Sequence, residues 1–533
     1  MTSRWKESIF LTAAALVVLV LAAALQPAPG YMDAEYYYAG GLQLAGGRGF
    51  TQPFLWNYLD QPEGLPHPAF TYWMPAASIL AAAGMKITGA TTFLAARWPF
   101  VLLAAFIPLV TLRLAEKLGA SRGTSLFAGW LAVFPGYYLV FTTLTETFVF
   151  YMLGGAAFFL ILSAETGRLR SSGGWPRYAL LGLVAGGMHA ARADGLLWLG
   201  MAALVWMAET LRPGHSRIQW RGAAGNLLAL GASYLFIIGA WYGRNVGLYG
   251  TLMPPGGSRT LWMTDYDQTF TYSIDTLTPE NWLAAGWQAH LSARWNALWM
   301  NLKNLLAVQG EVFLLPLIAV GLWQKRADKV IRFGVLGWAL TLVVMTIVFP
   351  FSGARGGFLH SGAAFQPLFW ACAAVGLEEA VRFGARKRGW GRKSAGLFFS
   401  RSLVVLAAAV TVVVFWGRVI SPGFQAPGWT ASQRAYAEVG SRLTDLGIPA
   451  DAVFVVNNPP GFYLATGRSA IVIPDGDEQS LLAAARRFGA GYLVLDENNP
   501  KLAGLYQADS EDLDFLFIET IGSVKLYQIR LVP

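Results

Sequence analysis

Through its first 420 positions the chain alternates continuous apolar runs with short polar joints. Many runs reach about 18 residues or more, the length a helix needs to cross the hydrocarbon of a bilayer. Their residues are apolar throughout rather than at every second position, which excludes a membrane-spanning barrel. The pattern predicts eleven helical spans, near 8–26, 93–114, 123–142, 147–165, 178–191, 194–210, 223–243, 303–323, 332–351, 358–380 and 402–420. The first reads as an uncleaved helix rather than a signal peptide. Residues 69–89 (AFTYWMPAASILAAAGMKITG) are also apolar, but counting them as a span would invert every later basic joint. They are expected instead to lie along the membrane surface, with Tyr72 and Trp73 at headgroup depth. Residues 27–92 then form one long external loop with two surface helices, near 33–46 and 69–87. A second long external loop covers about 244–302 and ends in a tryptophan-rich helix.

From Gly428 the pattern changes to short buried strands alternating with amphipathic helices. VFVVN, AIVIP, YLVLD, FLFIET and SVKLYQIR read as strands, and SQRAYAEVGSRLTDLG and EQSLLAAARRFG as helices. Residues 430–533 hold 13 acids against 8 Lys and Arg. The expected division is a transmembrane domain over 1–427 and a small extracytoplasmic α/β domain over 428–533.

Composition supports this class: 55% of the residues are hydrophobic and 13% charged, about half the charge of a soluble protein. The net charge of +9 does not point to nucleic acid, because the basic residues collect at alternate joints. These are Arg4 and Lys6; Arg113, Lys117 and Arg122; Arg168, Arg170 and Arg177; Arg212, Arg217 and Arg221; Lys325, Arg326, Lys329 and Arg332; and the stretch from Arg382 to Arg401. Basic loops face the cytoplasm, so the amino terminus is expected inside a cytoplasmic (plasma) membrane and the carboxyl terminus outside. The single cysteine, Cys372, lies within an apolar run and offers neither a disulfide nor a thiolate metal site.

The external joints carry the chemistry. The first contains Asp33 and Glu35 among Tyr31, Tyr36, Tyr37 and Tyr38, then Asp60, Glu63 and His67; the very short second contains Glu146. Arg192 and Asp194 follow in the third, Arg244 and Asn245 at the start of the fourth, and Arg355 and His360 in the fifth. Carboxylates can take a hydroxyl proton and arginines can neutralise a phosphate, so these groups suit a lipid-anchored anionic substrate. Each also has a plain structural reading. Asp33 can cap a helix, Glu35 can suit a helix dipole, and the tyrosines can form an interfacial belt. His67 can close a loop before Pro68, Arg192 and Asp194 can pair with each other, and Arg244 can snorkel.

Several of these stretches resemble the GT-C-fold glycosyltransferases, including protein O-mannosyltransferases and aminoarabinose transferases. The resemblance rests on MDAEYYYAGGLQLAGGRGF, HPAFTYWMPAASILAAAGMKITG, AARWPF, GLVAGGMHAARADGLLWLG and YGRNVGLYGTLMPPGG, in that order over roughly 30–260. It implies transfer of one sugar from a polyprenyl-phosphate donor to a glycan, lipid or protein acceptor, with inversion. Asp33 would be the base, or the acid placing the acceptor, and Glu146, the acid of the second loop, would with Glu35 hold acceptor or metal. Arg244, Arg355, His360, Arg192, His67 and Tyr36 would contact the donor phosphate or substrate, and some members use a divalent metal. The Asp-Ala-Glu spacing departs from the adjacent Asp-Glu of the eukaryotic mannosyltransferases. The competing readings are a transporter or flippase for a lipid-linked or anionic substrate, and an inactive scaffold.

Overall fold

Runs of Leu, Val, Ala and Phe without helix breakers fold into helices whose backbone groups are all paired internally, as an apolar surrounding requires. In the computed structural model, residues 2–164, 174–211, 220–497, 499–507 and 514–530 are described. Arg168, Arg170, Arg212 and Arg217 of the basic joints lie outside them. Five described helices are long and apolar enough to cross a membrane: Trp5–Ala24, Phe93–Lys117, Trp220–Tyr249, Lys329–Val348 and Arg392–Ile420. A sixth candidate is the pair Arg122–Val133 and Gly136–Thr142, bent by 45°. Helix also occupies the other expected segments, several as shorter pieces such as Phe148–Ser163 and Leu315–Gln324. Of the eleven expected spans, five or six thus qualify by length and composition among the described residues; Phe148–Ser163, Trp175–Ala191 and Leu196–Thr210 are shorter helices, and Gln366–Arg388 carries Glu378, Glu379 and Arg382 within it. Phe236 on Trp220–Tyr249 is 81% exposed and Leu228 72%, an apolar surface of the kind lipid covers.

The chain divides into two compact units. The first comprises Met1–Ala24, Trp98–Leu252 and Arg294–Gly417. At its centre runs the helix Gln366–Arg388, with Trp370, Cys372 and Leu368 fully buried. Glycines let backbones touch here. A Cβ on Gly321 would fall 1.9 Å from the Cys372 carbonyl oxygen, and one on Gly376 1.9 Å from that of Leu317.

The second unit comprises Leu25–Arg97, Met253–Ala293 and Arg418–Pro533. Its strands are β1 (Thr51–Gln52), β2 (Phe54–Leu55), β3 (His67–Pro68), β4 (Val453–Val456), β5 (Ala470–Val472), β6 (Ala490–Asp496), β7 (Phe515–Ile521) and β8 (Val524–Ile529). Six of them form a sheet in the order β2-β5-β4-β6-β8-β7. The first four run parallel, and β8 is antiparallel to both of its neighbours.

Period-two alternation sorts the strand residues onto two faces. Phe454, Val456, Val494 and Leu526 meet Tyr436, Val439 and Leu443 of the helix Ala431–Asp445. Val455, Ile471, Leu493 and Leu495 meet Leu481, Ala485 and Phe488 of Glu478–Phe488.

The five strands read from the C-terminal sequence are present. The sheet also takes β2 from the first long loop, and its second core includes Leu55, Tyr58 and Ile274 from the two loops. A two-residue strand has no periodicity to read. The surface helices expected near 33–46 and 69–87 are Met32–Ala45 and Ala76–Thr88. The second has 13 residues, about 20 Å long at 1.5 Å per residue, too short to span. Residues 69–75 are not helical, and Phe70 has a positive φ of 64°.

Candidate active site

In the first unit the tight turn ending at Glu146 leads into the helix Phe148–Ser163, with Thr147 at its N-cap. An anion is favoured at that end by the unpaired N–H groups and the helix dipole. Glu146 Oε2 accepts from the Thr147 N–H and, at 2.9 Å, from the Thr147 hydroxyl. His360 Nδ1 lies 3.6 Å from the same oxygen and 3.3 Å from Thr147 Oγ1. Its ring stacks on Phe148 with 4.1 Å between centroids. Glu146 is 1% exposed, so it is an acid taken out of water beside an imidazole.

One residue beyond His360, the Ser361 hydroxyl donates to Asp194 Oδ2 at 2.7 Å. Tyr151, one helical turn after Thr147, donates to the same oxygen at 3.1 Å. Arg192 Nε donates to Asp194 Oδ1 at 2.9 Å, and the guanidinium lies over the Tyr151 ring. The turn between Arg192 and Asp194 depends on Gly195, where a Cβ would sit 2.3 Å from the His189 nitrogen. Three segments far apart in sequence thus bring Glu146, His360, Asp194 and Arg192 into one connected polar cluster.

The remaining candidates of this unit are more peripheral. Arg355 is exposed, beside Gly356 at φ 123°. Arg244 lies over the Trp241 ring at 4.4 Å and contacts Asn245 Oδ1 at 3.4 Å. Glu311 escapes sequence reasoning confined to the external joints. It is 3% exposed at a break where Glu311 and Val312 both have positive φ, and it accepts from Trp370 Nε1 at 2.7 Å. The signal that could have found it is an acid at the head of the apolar run EVFLLPLIAVGLW.

In the second unit Asp33 is half-buried in the first turn of Met32–Ala45, whose N-cap is Tyr31. Asp33 is therefore not the capping residue. Glu35 is 3% exposed and accepts from Asn458 Nδ2 at 2.7 Å. Burial raises its carboxyl, the Asn458 hydrogen bond lowers it and the Asp33 charge raises it further, to about 7. Tyr36 is 2% exposed, accepts the Phe70 N–H at 2.8 Å and packs among Phe54, Trp56, Phe70 and Trp73. It is a core residue rather than part of a ligand surface. His67 Nε2 lies 2.6 Å from Asp60 Oδ2, so that imidazole nitrogen is already occupied.

No family model and no curated protein matches the sequence. Solved structures do. ArnT from Cupriavidus metallidurans bound to undecaprenyl phosphate aligns with a TM-score of 0.56 at 12% identity, covering 99% of this chain and 98% of that one. The Archaeoglobus fulgidus oligosaccharyltransferase in complex with Zn and sulfate aligns with a TM-score of 0.52 at 12% identity, covering 97% and 72%. The arabinofuranosyltransferase AftD from Mycobacteria aligns at 0.51 and 15% identity, covering 97% of this chain and 41% of that one. The chain has the GT-C fold. It combines its apolar helices with a small α/β sheet at the carboxyl-terminal end.

Proposed function

We propose that this GT-C-fold chain is a membrane glycosyltransferase that moves a monosaccharide from a polyprenyl-phosphate donor to an acceptor hydroxyl. The transfer takes place on the extracytoplasmic face of the plasma membrane. The observation that carries this reading is the convergence of Glu146, His360, Asp194 and Arg192 in the first unit. An acid and an imidazole able to hold a cation, beside a braced guanidinium, are groups suited to stabilising a departing phosphate.

In the reaction the acceptor oxygen forms a bond to the anomeric carbon while the bond from that carbon to the phosphate oxygen breaks. The configuration inverts, and the phosphate leaves with the electron pair. The acceptor proton passes to a carboxylate, a role assigned to Asp33 by the sequence resemblance. Asp194 holds Arg192 in orientation through Nε, and Arg355 and Arg244 are the further cations for the phosphate. Glu146 and His360, with donor atoms 3.6 Å apart, are the pair that would hold a divalent cation. Such an ion would neutralise charge building on the leaving group.

The test reconstitutes the full chain in proteoliposomes with a panel of polyprenyl-phosphate sugars and measures release of polyprenyl phosphate. Glu146→Gln, His360→Ala and Asp33→Asn should each lower turnover by at least about 100-fold. Release at the wild-type rate by Glu146→Gln would remove the cluster from the chemistry. Movement of the intact lipid-linked sugar across the bilayer without bond cleavage would favour a flippase.

A further inference from the structure

The helix Met32–Ala45 carries Asp33 on its first turn, and its buried side is tied to the C-terminal α/β segment at two places. Near its start, Glu35 Oε2 accepts from Asn458 Nδ2 at 2.7 Å. Two turns later, Gln43 Nε2 donates to the Tyr463 hydroxyl at 3.0 Å. Both partners belong to the segment following β4, where Pro459–Thr466 is helical.

Asn458 is built to face two ways. Its Oδ1 caps that helix by accepting the Gly461 N–H at 3.2 Å, and its own N–H donates to the Tyr436 hydroxyl at 3.2 Å. With Oδ1 and the backbone both engaged, Nδ2 can only point outward, toward Glu35. Gly461 makes the approach possible, because a Cβ there would stand 2.9 Å from Glu35 Oε2 and 2.8 Å from Asn458 Nδ2. Tyr36, between the two ties in sequence, is locked into its aromatic core. The contact therefore fixes the rotation of the helix about its axis, and with it the direction of Asp33.

We infer that Asn458, acting through Glu35, is the positioning residue that orients the Asp33 helix, and that Glu35 serves this contact rather than the reaction. The orienting contact stands by itself; its catalytic consequence rests on the transferase reading above.

Asn458→Asp isolates the contact. The new carboxylate can still cap Pro459–Thr466, but it offers no donor to Glu35 and opposes it with like charge. Adding Glu35→Gln to that variant places a carboxamide donor opposite the carboxylate and restores the hydrogen bond with its polarity reversed. The experiment measures hydrogen exchange of the amides of residues 32–45 at pH 8 in the purified full chain, alongside polyprenyl-phosphate release from the donor panel. Asn458→Asp should speed exchange by about tenfold or more, and the double variant should return to within about threefold of wild type. In the release assay kcat should fall by about tenfold with the donor KM unchanged, and recover in the double variant.

Unchanged exchange in Asn458→Asp, or no recovery in the double variant, overturns the contact whatever the enzyme does. Restored exchange without restored kcat in an active preparation overturns the positioning role. A chain inactive on every donor overturns the transferase reading, and exchange still decides the contact.

Discussion

Glu35 shows how a residue's environment can reassign it. In the sequence it is the second of two acids, expected beside Asp33 to hold acceptor or metal; in the fold it is 3% exposed against a carboxamide. Its carboxyl is held at about 7, against about 4.5 or slightly less in an unfolded chain. Between those two values the unfolded chain has released the proton while the folded chain keeps it, so stability falls as pH rises from about 4.5 to about 7 and is level beyond. The full difference is worth about 3 kcal/mol. Glu35→Gln should remove that slope and raise the thermal midpoint at pH 8 relative to wild type, as scanning fluorimetry from pH 5 to 8 will read. An identical pH slope in the variant would show that Glu35 does not titrate in this window. Glu146 and His360, by contrast, are legible as candidates, because both fall at external joints where apolar runs meet, and a polar group buried there carries a solvation cost that calls for a use. What the sequence could not convey is that His360 meets Glu146 while Ser361, its neighbour, meets Asp194. That follows from the phase of one short helical turn.

At the scale of elements, the positions of helices were readable and their continuity was not. Apolar runs mark where helix forms, but breaks such as the positive φ pair at Glu311 and Val312 depend on what packs against them. The same holds for close helix approach. Gly321 and Gly376 look like any glycines in apolar runs, yet each lets the helices Leu315–Gln324 and Gln366–Arg388 meet backbone to backbone. Such small-residue contacts are how helices associate where water supplies no hydrophobic drive. Gly321→Ala and Gly376→Ala should each cost at least about 1–3 kcal/mol, because the obstructing atom is a carbonyl oxygen that cannot swing aside. Gly231→Ala, with nothing within 4 Å of the added carbon, should be neutral or stabilising by up to about 1 kcal/mol. Thermal midpoints of the three variants in one detergent separate the two cases, and equal midpoints would refute the packing argument.

At the scale of the molecule, the sequence shows two kinds of pattern meeting near Gly428, and a natural reading is that the last hundred residues fold by themselves. The strand residues support that only in part. Val455, Ile471 and Leu493 alternate as strands should, but the surface they present is completed by Leu55, Tyr58 and Ile274 from much earlier in the chain. Tyr58 hydrogen-bonds the Val472 carbonyl, β2 extends the sheet beyond β5, and Thr271 bridges Asp475. Segments this short carry no periodicity, so they become visible only once the sheet exists to receive them. Removing residues 428–533 should therefore do more than delete a domain. It takes the partner from β2, uncovers Leu55 and Tyr58, and releases Glu35 and Gln43 of the Met32–Ala45 helix. Limited proteolysis of the truncated chain in detergent should open new cleavage sites within residues 25–97 that the full chain protects. Helical content measured by circular dichroism should fall only by the share of the deleted helices. If 25–97 stays as resistant as before, the early loop folds without the sheet, and the second unit is two structures rather than one.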